Sequence, residues 1–122
     1  MWAKMMAVGL GGFVGANVRF WIGSWLAGSD FPWGTFVVNI AGCFGLAVFA
    51  TVVTERILVS ESTRLLIATG FFGALTTFST FNLETYSLIS SGKQPLAILY
   101  GVGSVFLGLL AALAGIVLVR AL

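Results

Sequence analysis

The sequence predicts an all-α membrane protein with four transmembrane helices per chain, the third broken at its centre. Three observations carry this. Of the 122 residues, 59% are hydrophobic and only 8% charged, and the mean hydropathy is +1.08. So few polar side chains cannot cover a water-soluble domain of this size. The apolar residues fall into four long runs joined by short connectors, and a spanning helix needs about 20 such residues. In the third run, Gly73-Ala-Leu-Thr-Thr-Phe-Ser-Thr-Phe81 sets glycine and hydroxyl side chains where the chain crosses the middle of the bilayer. Unpaired backbone groups are costly in lipid, so irregular backbone persists at that depth only when buried in protein or lining a polar cavity.

Taken in order, the runs form one transmembrane domain over residues 1–122. The first helix is expected at about residues 2–26; no small-residue cleavage site follows a short apolar core, so this run reads as a retained span. It ends in the turn-rich Ala27-Gly28-Ser29-Asp30-Phe31-Pro32, and the second helix follows at about residues 33–56. The third is expected at about 61–90, with Ser60 placed to cap its first amides and Ser91-Gly92-Lys93 to stop it. The fourth, at about 95–120, opens at Gln94-Pro95, since proline suits a first helical turn, and closes at Arg120, which can snorkel to the headgroups. Trp2, Trp25, Trp33 and Tyr86 fall toward span ends, where an aromatic belt belongs.

Small residues recur at spacings that let helix backbones touch: Gly11 and Gly15, Gly70 and Ala74, then Ser104, Gly108 and Ala112. Apolar side chains gain little from association in lipid, so such faces hold helices together by close packing, either within the chain or at a specific oligomer interface. Cys43 is the lone cysteine, sits in an apolar run and reads as a small core residue.

The charges are few enough to judge singly. Lys4, Arg56, Arg64 and Arg120 fall on one side of a four-span chain and Lys93 on the other, a modest bias that by the positive-inside rule favours cytoplasmic termini. Basic residues scattered in this way form no patch for nucleic acid. Arg19 lies inside the first span and Glu84 inside the third, on the same half of the membrane. Intramembrane ionisable groups face the bundle interior and seek partners. The sequence leaves two arrangements open: Arg19 pairs with Glu84, directly or through water, or each reaches its own interface.

Asn39 is a further polar residue within a span; its amide suits either a bond between helices or N–H donation to an anion. Phe78 and Phe81 stand three residues apart after the break, so their rings project from nearly one face. Ring edges carry partial positive charge that an anion can approach, although packing in the bundle accounts for the same spacing. An enzyme is excluded: there is no histidine, one cysteine, and no pair of carboxylates at a predicted site.

Together, Gly12-Phe-Val-Gly15-Ala-Asn-Val-Arg19, Gly34-Thr35 with Val38-Asn39 and Gly42, and Thr69-Gly70 through Gly73, Thr76-Thr-Phe-Ser-Thr-Phe81 and Glu84 resemble the fluoride channel family known as Fluc or CrcB. The resemblance covers nearly the whole chain. It implies an antiparallel homodimer in the cell (inner or plasma) membrane, passing fluoride passively out of the cytoplasm through two pores and so relieving fluoride toxicity. It also implies a structural sodium ion at the dimer interface, held by the backbone carbonyls of Gly73 and Thr76 from each subunit. Phe78 and Phe81 become pore residues with Asn39 beside them; Ser79 and Thr80 lie on the same path, and Tyr100 and Ser104 match a track of hydroxyl groups. Ala74 stands where the family often has a second glycine, and Gly108 where some members carry another serine. The runner-up class, small four-helix dual-topology exporters of lipophilic cations, would be expected to place a carboxylate in the core of the first helix, where this chain has Arg19. A purely structural membrane subunit leaves the hydroxyl-rich break and its two phenylalanines unexplained.

Overall fold

Each apolar run is a helix. The computed structural model describes residues 1–122 and contains α1 (Trp2–Trp25), α2 (Trp33–Glu55), α3 (Glu61–Ser90, interrupted) and α4 (Gln94–Ala121). Local signals set the ends. Ser60 Oγ accepts the Thr63 N–H at 3.1 Å at the start of α3, and Pro95 lies in the first turn of α4. Gly28 (φ 108) and Gly92 (φ 78) take the left-handed conformation that turns the chain after α1 and α3.

Only 15 of 122 residues are buried. Phe13, Phe20, Leu109 and Leu113 point outward from α1 and α4, and an apolar outer surface of this kind is stable only against hydrocarbon. Four helices of spanning length with such a surface make this a multi-pass membrane protein.

Glycines set the helix packing. A Cβ at Gly11 would collide with the carbonyl oxygen of Leu66, and one at Gly15 with that of Phe71; a Cβ at Gly70 would lie 2.6 Å from the Val8 carbonyl oxygen. The backbones of α1 and the first half of α3 are therefore in direct contact. Gly34 of α2 approaches Gly23 of α1 in the same way, and Gly115 of α4 approaches the Phe44 carbonyl of α2. Cys43 is a free thiol beside Gly108.

The third helix departs from expectation in two ways. Leu65–Phe72 is wound as a π-helix, and no residue type in this apolar stretch signals that. The irregular backbone is also narrower than the polar stretch: Gly73 is ordinary helix (φ −62, ψ −34), and only Thr76 and Thr77 are extended, with ψ of 156° and 124°. Threonine, β-branched, is at ease in that conformation. The helix resumes at Phe78.

Ion pairs join helix ends: Lys4 to Glu61 at 2.7 Å, Asp30 to Lys93 at 2.6 Å, and Glu55 to Arg120 at 2.7 Å. Arg120 thus has a partner in Glu55 while its side chain stays 62% exposed. Arg56 and Arg64 donate to the carbonyls of Val119 and Val53, at 2.9 and 3.4 Å. Exposed pairs of this kind are screened by water and contribute little, so packing dominates the fold.

Candidate functional site

One face of α2 meets the break. Thr35, Asn39 and Gly42 follow at spacings of four and three, which places them in a row along a helix. Each meets a different level of α3. Thr35 Oγ1 donates to Glu84 Oε1 at 2.9 Å. Asn39 Nδ2 donates to the Thr77 carbonyl at 3.0 Å while its Oδ1 accepts the Thr77 N–H at 2.8 Å. The Cα of Gly42 faces the methyl group of Thr76, leaving no room for a side chain.

These bonds maintain the break. In a continuous helix the Thr77 N–H would serve the Gly73 carbonyl, but here it goes to Asn39. The Thr80 N–H, which would serve the Thr76 carbonyl, goes to Thr77 Oγ1 at 3.3 Å. Thr77 is therefore the N-cap of the second half of α3. Thr76 Oγ1 turns back to the Phe72 carbonyl at 2.9 Å. The carbonyls of Gly73 and Thr76 both lose their usual donors, and Gly73 lies on an exposed face, where a Cβ would meet only the Ala68 carbonyl oxygen, at 3.9 Å.

Beside the break lies a cavity of about 290 Å³ lined by Asn39, Cys43, Thr76, Thr77, Phe78, Phe81 and Ser104. The Phe78 and Phe81 rings are 6.1 Å apart, Phe78 being 77% exposed and Phe81 packed edge-on against Tyr100 at 5.1 Å. Ser104 Oγ is buried without a hydrogen-bond partner. Buried hydroxyls are normally paired, so this one is an unspent hydrogen-bonding group in the wall of the cavity.

Tyr100 is fully buried, and its hydroxyl donates to Glu84 Oε2 at 2.7 Å. Both Glu84 oxygens thus have hydroxyl donors, from Thr35 and Tyr100. Arg19 makes no direct ion pair with Glu84; the three ion pairs of the chain lie elsewhere. Arg19 instead lines a cavity of about 260 Å³ with Thr35, Thr77 and Thr80. A shared depth brings two residues to one level, but rotation about each helix axis decides whether they meet. Glu84 lines a further cavity, of about 370 Å³, and Thr35 stands at both this one and the Arg19 cavity, between the two charges. Thr80 Oγ1 accepts from Thr77 Oγ1 at 3.1 Å, whereas Ser79 is exposed on the outward face.

The family described as "CrcB-like protein, Camphor Resistance (CrcB)" matches residues 6–116. The chain belongs to the CrcB family. Within it, the chain is 45% identical over 120 residues to a protein of Chloroflexus aurantiacus, covering 96% of this chain and 95% of that one. It is 48% identical over 114 residues to one of Oceanobacillus iheyensis, covering 93% and 88%. It is 42% identical over 122 residues to one of Rhizobium leguminosarum bv. trifolii, covering 98% of each. All three are named fluoride-specific ion channel FluC. CrcB members are thus channels rather than enzymes.

Sequence reasoning assigned no role of their own to Thr35 and Thr77, which organise this CrcB site. Both left a signal: Thr35 is one turn before Asn39, and Thr77 is a threonine immediately before a helix start.

Proposed function

We propose that this protein is a fluoride-selective passive channel that exports fluoride from the cytoplasm across the cell (inner or plasma) membrane and so relieves fluoride toxicity. The observation that carries the reading is the unpartnered Ser104 hydroxyl in the same cavity as the Phe78 and Phe81 rings, with no charged side chain among the residues that line it. A small anion is held there by neutral donors: the Ser104 O–H, the second Nδ2–H of Asn39, and the positive ring edges. Such donors replace hydration without trapping the ion, which conduction requires. The names of the relatives point to the same ion.

The working unit in this reading is an antiparallel homodimer. Phe78 is 77% exposed in the single chain, so its ring needs a second surface to close a pore around it. A sodium ion suits the dimer axis. The Gly73 and Thr76 carbonyls have lost their helical donors, and no group of three His, Cys, Asp or Glu side chains offers a charged metal site. Neutral oxygens fit a monovalent hard cation better than a divalent one. Bound there, sodium would neutralise the carbonyl dipoles and bridge the two breaks.

Efflux from proteoliposomes tests the function, with fluoride compared against chloride and a lipophilic cation. Selective fluoride efflux without proton or sodium coupling is the expected result. Export of the lipophilic cation would replace this reading with that of a small four-helix dual-topology exporter of lipophilic cations.

A further inference from the structure

We propose that the Asp30–Lys93 ion pair sets the electrostatic potential at the mouth of the Glu84 cavity, and through it the rate at which anions reach the pore. The inference rests on the channel reading above. The cavity has a volume of about 370 Å³ and is lined by Asp30, Thr35 and Glu84 among other residues. Glu84 in its wall is linked to the phenylalanines by contact: it accepts from the Tyr100 hydroxyl, and the Tyr100 ring packs on Phe81. Two carboxylates at the mouth of an anion path repel the ion that must pass. Lys93 Nζ lies 2.6 Å from Asp30 Oδ1, and Arg19 lines the adjoining cavity, which shares Gly23, Gly34 and Thr35. The two negative and two positive charges at this end cancel.

Asp30 is held in place. Ser29 Oγ and the Trp33 N–H both donate to the Phe31 carbonyl, at 2.9 and 2.8 Å. The Phe31 ring packs edge-on against Tyr100 at 5.4 Å. The connector thus anchors on both sides of the residue that carries the charge. Side-chain exposures of 68% for Asp30 and 40% for Lys93 leave the pair in contact with water, where it contributes little to folding but acts on approaching ions.

The two charges therefore have opposite effects on anion access. Lys93→Gln leaves the mouth net negative and Asp30→Asn leaves it net positive. In proteoliposomes at low fluoride and low ionic strength, we expect K93Q to lower initial efflux about threefold, D30N to raise it by about the same factor, and the double variant to return to wild type. Raising the impermeant salt to about 1 M, where the Debye length is about 3 Å, should erase the differences. A structural role for the pair would move both single variants in one direction, and that result overturns the proposal, as do unchanged rates or effects insensitive to salt. Wild-type protein that passes no fluoride would instead overturn the channel reading itself, and this inference with it.

Discussion

The side chain of Asn39 pairs with Thr77 as a second backbone would, accepting its N–H at 2.8 Å and donating to its carbonyl at 3.0 Å. A single amide thus satisfies both polar groups of the most irregular residue in α3. Because the bonds bridge α2 and α3, they also fix the distance between the cavity wall and the break.

Asn39→Asp keeps an acceptor for the Thr77 N–H but loses the donor and adds negative charge beside the proposed path. Fluoride efflux at neutral pH is expected to fall about tenfold or more. Full efflux through this variant, with the carboxylate shown to be ionised by infrared spectroscopy, would remove Asn39 from the pore.

Phe81→Ile conserves apolar volume and loses the ring edge, so the protein should still assemble while efflux falls at least about tenfold. Phe78→Ile should do the same with even less effect on stability, since that ring is 77% exposed in the single chain. Size-exclusion profiles read alongside efflux separate the two effects. Normal efflux from either assembled variant would return its ring to a packing role.

Gly11→Ala and Gly15→Ala drive a methyl group into the carbonyls of Leu66 and Phe71, and each should cost about 1–3 kcal/mol. At neighbouring Gly12, a Cβ would meet nothing closer than 3.9 Å, so Gly12→Ala should be close to neutral. Thermal unfolding in detergent compares the three. Equal loss at all of them would contradict the packing described for α1 and α3.

Gly73 is helical and a Cβ there would touch only the Ala68 carbonyl oxygen, at an unstrained 3.9 Å, so Gly73→Val should leave the chain folded and weaken dimerisation or cation binding. Replacing sodium by a large organic cation should likewise reduce efflux or dimer stability, with no sodium flux. Full efflux under rigorously sodium-free conditions, with no cation detected by competition, would exclude a structural sodium ion.

A cysteine introduced near Lys93 in a Cys43→Ser background should be labelled in about half of the chains from each side of a sealed membrane, as equal insertion in both orientations requires. Labelling from one side alone would exclude the antiparallel arrangement and the two-pore scheme with it.

The four spans were legible because apolar run length is the property that bilayer thickness selects, and the break because threonine, serine and glycine are out of place at mid-depth. The π-helix at Leu65–Phe72 was not legible: its residues would suit an α-helix equally well, and nothing in their chemistry distinguishes the two windings. Glu84 was recognisable as an intramembrane ionisable group, but its partners were not. Counting residues along helices gives depth, and on depth alone Arg19 matched Glu84 as well as Thr35 or Tyr100 did. Helix rotation, which those counts do not give, brings Thr35 and Tyr100 to the Glu84 carboxylate.

The glycine contacts between helices divide the chain into two classes of tolerance to mutation. Where backbone lies on backbone, as at Gly11, Gly15 and Gly70, no natural side chain is small enough to substitute, and drift is barred whatever the chemistry of the replacement. Where Met5, Phe13 or Leu109 point outward, almost any apolar residue meets the same requirement. A saturation library selected for growth should therefore return a map in which intolerance follows the absence of side chains more closely than their size.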